Sequence, residues 1–273
     1  MSSRIVRAAC TLAASGVLAL ALAPVAPAAP AEGAATVTVF HGIPGTPVDV
    51  YADGKELLSD FQPGTLTDPL TLPAGSYDIE VFAVGTSPSS GDPVVEKQID
   101  VPGGANASVT ANLSEGGQPA LNAYVNDVST VPDGKSRLTV RHVAAAPAVD
   151  VRADGQAVFK DLKNPGEATG EVPAGTVNAD VTLAGTGEVV IGPAKLDLAD
   201  GASTIVYAWG SAEDDNLALK VQTLTTGSKT PGAPSAGGAG AAVANDDAAL
   251  YAAAAGAGLV ALIAGVRLAH RRR

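Results

Sequence analysis

Two stretches decide how this chain is read. The first is Val37-Thr38-Val39-Phe40-His41-Gly42-Ile43-Pro44-Gly45-Thr46-Pro47-Val48-Asp49-Val50-Tyr51-Ala52-Asp53-Gly54. The second is Leu138-Thr139-Val140-Arg141-His142-Val143-Ala144-Ala145-Ala146-Pro147-Ala148-Val149-Asp150-Val151-Arg152-Ala153-Asp154-Gly155. His41 and His142, the Val-Asp-Val triplets at 48–50 and 149–151, and the two Asp-Gly pairs all share one offset of 101 residues. Further on, Leu72-Pro73-Ala74-Gly75 answers Val172-Pro173-Ala174-Gly175, and Asp100 to Ala105 answers Asp197 to Ala202. The order survives small changes of length, as a duplication leaves it.

Each copy has period two. Val37, Val39 and His41 fall on one side of an extended chain, with Thr36, Thr38 and Phe40 on the other; Tyr77, Ile79, Val81 and Ala83 alternate with Ser76, Asp78, Glu80 and Phe82. Short alternating runs punctuated by Gly, Pro, Asn and Asp read as strands of a sandwich, and no helical period lasts three turns in either copy. The Asp-Gly pairs suit tight hairpin turns that need positive φ. The expected fold is all-β: two tandem immunoglobulin-like β-sandwich lobes at 36–128 and 137–226, joined through Asp133-Gly134-Lys135-Ser136. Copies of this length are domain-sized and too few for a solenoid.

His, a turn bearing proline, Pro/Ala-Val-Asp-Val, Asp-Gly and then Leu/Val-Pro-Ala-Gly together resemble the bacterial family known as domain of unknown function 4397. The resemblance covers both lobes, about two-thirds of the chain. Copy two departs from it with Val143-Ala144-Ala145-Ala146 in place of Gly42-Ile43-Pro44-Gly45, and with Arg152 in place of Tyr51. It implies an extracytoplasmic β-rich module, often in tandem, and carries over no catalytic residue.

Both ends read as targeting segments. Arg4 and Arg7, an apolar run from Ala8 to Ala23 and a Pro/Ala stretch to Ala31 have the order of a signal peptide, 1–31. Cys10, the only cysteine, lies before a full apolar stretch and so does not suit a lipid-attachment site; the exported chain would have no disulfide and no thiolate site. Residues 227–247, rich in Gly, Ala, Pro and Ser, read as a flexible stalk. The uncharged run 248–266 has the length of a membrane span, and the basic tail 267–273 marks its cytoplasmic side. No Leu-Pro-x-Thr-Gly sorting motif precedes the run, so retention in the cell membrane with an extracellular ectodomain is expected. Outside the membrane this leaves 11 basic residues against 28 acidic ones, a net charge near −17. Such a surface repels nucleic acid and other polyanions.

The chemistry is sparse. His41 with Asp49, and His142 with Asp150, are the candidate ligand-binding residues, since an imidazole beside a carboxylate suits recognition, metal binding or proton transfer. The alternative is architectural, with the His bonding a carbonyl and the Asp capping a turn. Glu213-Asp214-Asp215-Asn216 offers oxygens of the kind calcium takes, without the spacing of an EF-hand. HExxH, G-x-S-x-G and phosphate-loop patterns are missing. Phe40, Tyr51, Phe61, Tyr77, Phe82, Tyr124, Phe159, Tyr207 and Trp209 are the ectodomain aromatics that could stack on a sugar. The expectation is a non-enzymatic surface protein with no cofactor and no bound metal. It would contact a protein or glycan of the envelope, or else act as an extracytoplasmic hydrolase or as a scaffold for a membrane partner.

Overall fold

The computed structural model describes residues 33–227. The expected signal peptide, span and basic tail, and all of the stalk but Gly227, lie outside them. The described residues form sixteen strands and no helix. Lobe one comprises β1 (Ala35–Gly42), β2 (Val48–Ala52), β3 (Lys55–Phe61), β4 (Leu70–Leu72), β5 (Gly75–Ala83), β6 (Val95–Val101), β7 (Asn106–Leu113) and β8 (Pro119–Val125). Lobe two comprises β9 (Lys135–Ala145), β10 (Val149–Ala153), β11 (Gln156–Leu162), β12 (Glu167–Pro173), β13 (Gly175–Leu183), β14 (Val189–Leu198), β15 (Ser203–Ser211) and β16 (Ala218–Leu224).

Each lobe is a pair of four-stranded sheets. In lobe one these are β4-β1-β7-β8 and β3-β2-β5-β6; lobe two repeats them strand for strand as β12-β9-β15-β16 and β11-β10-β13-β14. The Asp-Gly turns close two-residue hairpins between β2 and β3 and between β10 and β11. Asp53 and Gly54 have φ of 51° and 72°, Asp154 and Gly155 48° and 76°, the pair of left-handed conformations that a type I′ turn needs. Asp53 also accepts the Asp78 N–H at 2.9 Å, and Asp154 the Asn178 N–H at 2.9 Å, so each turn is tied to the next strand of its sheet.

Between the two sheets of lobe one, Val37, Val50, Val81, Ile99 and Val109 form the core. The matching positions Leu138, Val151, Val181, Leu196 and Val206 do so in lobe two. A third apolar layer lies between the lobes, where sheet β4-β1-β7-β8 meets sheet β12-β9-β15-β16: Phe40, Val143, Ile205, Tyr207 and Leu224, flanked by Leu66, Tyr124, Val128 and Trp209. The four sheets therefore stack as four layers, and the inner two are covered on both faces. β1, β7, β9 and β15 are buried along almost their whole length. In each inner sheet the two central strands, β1 with β7 and β9 with β15, pair in parallel, as strands buried on both faces often do. The Thr36-Thr38-Phe40 side of β1 thus faces the other lobe.

That interface mixes an aromatic stack with a buried cation. Phe40 packs on Tyr207 at 4.8 Å between centroids and edge-on against Trp209 at 5.9 Å. Arg141, 1% exposed, donates to Glu167 Oε2 at 2.9 Å, Tyr207 Oη at 3.0 Å and Asn126 Oδ1 at 2.8 Å. Its guanidinium lies 4.2 Å from the Tyr124 ring centre. Tyr207 donates onward to Gln222 Oε1 at 2.6 Å, which also accepts from Ser108 of lobe one at 3.3 Å. Burial raises the pKa of both Tyr124 and Tyr207, so both hydroxyls remain donors. Thr204 Oγ1 is the one buried side-chain polar atom without a partner among the described residues; the polar network across the interface is otherwise closed.

Opening a hydrogen-bonded, buried charge cluster costs on the order of 3 kcal/mol. Arg141→Ala is therefore expected to lower the stability of the full chain by about that amount and to split one denaturant transition into two, as the lobes lose their coupling. Chemical denaturation followed by Trp209 fluorescence measures both effects. A single transition of unchanged midpoint would show that the lobes are held by something else.

Candidate functional site

The pairing directions bring eight loops together at one end of the molecule. In lobe one they are residues 43–47, 62–69, 84–94 and 114–118; in lobe two, 146–148, 163–166, 184–188 and 212–217. The lobes present these ends side by side. Asn164 Nδ2 donates to the Leu113 carbonyl of lobe one at 2.8 Å and to Ala144 of its own lobe at 2.5 Å. Gly64 lies so close to Trp209 that a Cβ there would come within 2.8 Å of the indole.

His41 and His142 stand at this end, near the last residues of β1 and β9, and both are wholly buried. His41 Nε2 is 3.2 Å from the Thr46 carbonyl and its Nδ1 is 3.4 Å from the Ile43 amide nitrogen. His142 repeats this with the Pro147 carbonyl at 2.9 Å and the Ala144 amide at 3.4 Å. A carbonyl can only accept and an amide N–H only donate, so each ring is the neutral tautomer protonated on Nε2. Both nitrogens are occupied by backbone. Burial lowers the pKa of each imidazole, against the raising effect of the Thr46 carbonyl for His41, and of the Pro147 carbonyl and the Glu115 charge for His142.

Asp49 and Asp150 lie at the same end but bond backbone rather than their histidines. Asp49 Oδ1 accepts the Asp60 N–H at 2.8 Å and Oδ2 the Gly85 N–H at 3.1 Å. Asp150 does the same with Asp161 at 2.9 Å and Gly185 at 3.1 Å. The amides of Asp161 and Gly185 hold the Asp150 carboxyl below its ordinary pKa. Each Asp thus ties a bulge in the neighbouring strand to the loop that follows β5 or β13. The bulge residues Asp60 and Asp161 have φ of 49° and 52°. Sequence reading missed this second pair, although it shares the offset of 101, because a lone Asp inside a strand gives no periodic signal.

The acidic turn 213–216 is held by hydrogen bonds from its backbone to the Asn216 and Ser211 side chains. Asn216 Oδ1 accepts the Ser211 N–H at 2.7 Å, and Ser211 Oγ the Asp214 N–H at 3.3 Å, while Asp215 takes a φ of 52°. Among the described residues no group of three or more His, Cys, Asp or Glu side chains is placed to hold a metal ion. The nine aromatics among the described residues are all buried or half-buried. The exposed large apolar side chains are valines instead, and three of them, Val84, Val94 and Val189, lie at the loop end.

A family model described as "Domain of unknown function (DUF4397)" matches residues 35–152, which takes in all of lobe one together with β9 and most of β10. No curated protein matches the chain. Among solved structures the Bacillus anthracis TIE protein is similar at 15% identity with a TM-score of 0.20; the alignment covers 64% of this chain and 32% of that one. This chain therefore spans about a third of that protein's length.

The buried imidazoles set a pH dependence of stability. Both titrate below the ordinary value of 6.5 in the folded chain, so between that value and their lowered pKa the unfolded chain binds more protons. Stability is then full above about pH 7 and falls as the pH drops through about 6.5. His41→Gln/His142→Gln is expected to lower Tm above about pH 7 while flattening its decline down to about pH 5. Thermal melts across that range check it; an unchanged slope would place the titration elsewhere.

Proposed function

We propose that this chain is a non-enzymatic surface module of the bacterial envelope that works by protein contact through its loop end. In this reading it is exported behind residues 1–31 and held in the membrane by 248–266. Its two lobes are immunoglobulin-like sandwiches, the second a further copy of the family module. One observation carries the proposal. Both ends of the described segment emerge opposite the eight loops: Gly33 accepts the Gly104 N–H at 3.3 Å, and Gly227 donates to the Val128 carbonyl at 2.8 Å. A chain anchored beyond Gly227 would turn the loop end away from the membrane.

Three features favour protein contact over the other readings. Sugar recognition commonly stacks exposed aromatics, and the ectodomain aromatics are at least half-covered. The acidic surface would repel anionic wall polymers. General-base catalysis needs a nitrogen free to take a proton, whereas each buried histidine has both nitrogens against backbone. Exposed valines on loops held by fixed anchors suit a contact surface.

Site-specific photo-crosslinking from the full chain in its own membrane tests this. Probes at Val84, Val94 and Val189 are expected to give discrete protein adducts, and probes at Lys55 and Gln156, beside the opposite hairpins, none. Adducts from the hairpin end alone would overturn the orientation, and glycan-only adducts at the loops would overturn the partner class.

A further inference from the structure

The loop end of lobe two has a groove that lobe-two folding leaves unfilled. It lies between the β13–β14 and β15–β16 hairpins, has a volume of about 480 Å³, and is lined by Leu183, Val189, Val190 and Leu217, with Glu188 and Asp215 on its rim. Pro147 forms part of its wall, and the carbonyl of that residue is the one His142 holds. The wall is therefore set by the buried clamp. Val189, on the strand at the edge of its sheet, is 45% exposed. Folding thus leaves apolar surface in water that a partner would cover.

The rim fixes the sign of that partner. Glu188 and Asp215 are exposed, and no Lys, Arg or His among the described residues is in an ion pair with either. Glu213 and Asp214 stand exposed on the same turn as Asp215. The turn that carries Asp215 is fixed by the Asn216–Ser211 and Ser211–Asp214 hydrogen bonds. A groove of mixed lining, with aliphatic side chains beside uncompensated carboxylates, suits an aliphatic side chain between cationic residues, to which the carboxylates add attraction while disfavouring acidic segments.

We infer that this groove is the docking site for a partner protein segment in which an aliphatic residue is flanked by Lys or Arg. The inference rests on the protein-contact reading above and adds the groove and the chemistry of the segment.

Fluorescence polarisation tests it with a labelled synthetic peptide, a central leucine flanked by lysines, titrated with the full chain in zwitterionic nanodiscs; empty nanodiscs are the blank. Saturable binding that weakens with salt is expected, with no binding of the twin peptide flanked by glutamates. Replacing the leucine by alanine, or Val189→Ser on the protein, is expected to weaken binding about tenfold, the scale of one lost aliphatic contact in a pocket. Glu188→Gln/Asp215→Asn, which keeps a residue tolerant of positive φ at 215, is expected to weaken binding and reduce its salt dependence. Equal binding of the leucine and alanine peptides, or indifference to both variants, overturns the groove. If the peptide fails while crosslinks persist at Val84 and Val94, the groove falls and the contact reading stands. If both vanish, both fall.

Discussion

Arg141 is buried between two sandwiches and could not stay there without what surrounds it. A guanidinium taken out of water needs its donors satisfied and its charge spread, and Glu167, Tyr207, Asn126 and the face of Tyr124 supply this from both lobes. At the equivalent position in the other copy, fixed by the strand registers, stands Phe40. The registers also match Thr110 with Tyr207 and Asn112 with Trp209, and Leu66 with Glu167. The corresponding sheets of the two lobes thus share apolar core-facing residues and differ on the face they turn on one another. Two copies of the Arg141 face would set guanidinium against guanidinium, and two of the Phe40 face would offer Asn126 no guanidinium and Ser108 no Gln222. Only the mixed pair satisfies both, so the divergence specifies lobe one against lobe two.

From that pairing the loop end follows. Because Phe40 meets Tyr207 and Asn164 reaches Leu113, the lobes cannot slide along their strands without breaking the aromatic stack and exposing Arg141. The loops of both lobes are consequently held at one level. The histidines work one step closer to the surface. Each ties the end of a double-covered strand to the loop behind it, through a neutral ring whose two nitrogens suit one carbonyl and one amide.

Much of this was legible in the sequence. Period two in Val37-Thr38-Val39 and Tyr77-Asp78-Ile79 and the Asp-Gly pairs were enough for strands, hairpins and an all-β fold in two lobes. The pairing of lobes was not, because β-branched threonines at 36, 38 and 139 read equally as a solvent face or as the rim of an interface. A signal was present in Thr204-Ile205-Val206-Tyr207-Ala208-Trp209, where apolar residues occur on both sides of one strand. That is the mark of a strand covered twice. The His and Asp of each copy were legible as a repeated set. Which atoms they bond was not, because proximity in sequence cannot tell a carboxylate facing an imidazole from one facing two amides.

The two lobes keep the same anchors and differ in the loops that those anchors hold. Asp49 holds Gly85 and Asp150 holds Gly185 in the same way, yet the loop that follows has eleven residues in lobe one, 84–94, and five in lobe two, 184–188. The β1–β2 turn is Ile43-Pro44-Gly45-Thr46-Pro47, and its counterpart between β9 and β10 is Ala146-Pro147-Ala148, shortened because β9 runs on to Ala145. Anchors of this kind, made by side chains to backbone amides, place no demand on the identity of the loop they hold. Loop length and composition can change while strand ends, hairpins and both cores remain as they are. A fold whose repeated His and Asp side chains hold the backbone at each strand end leaves its loop end free to differ.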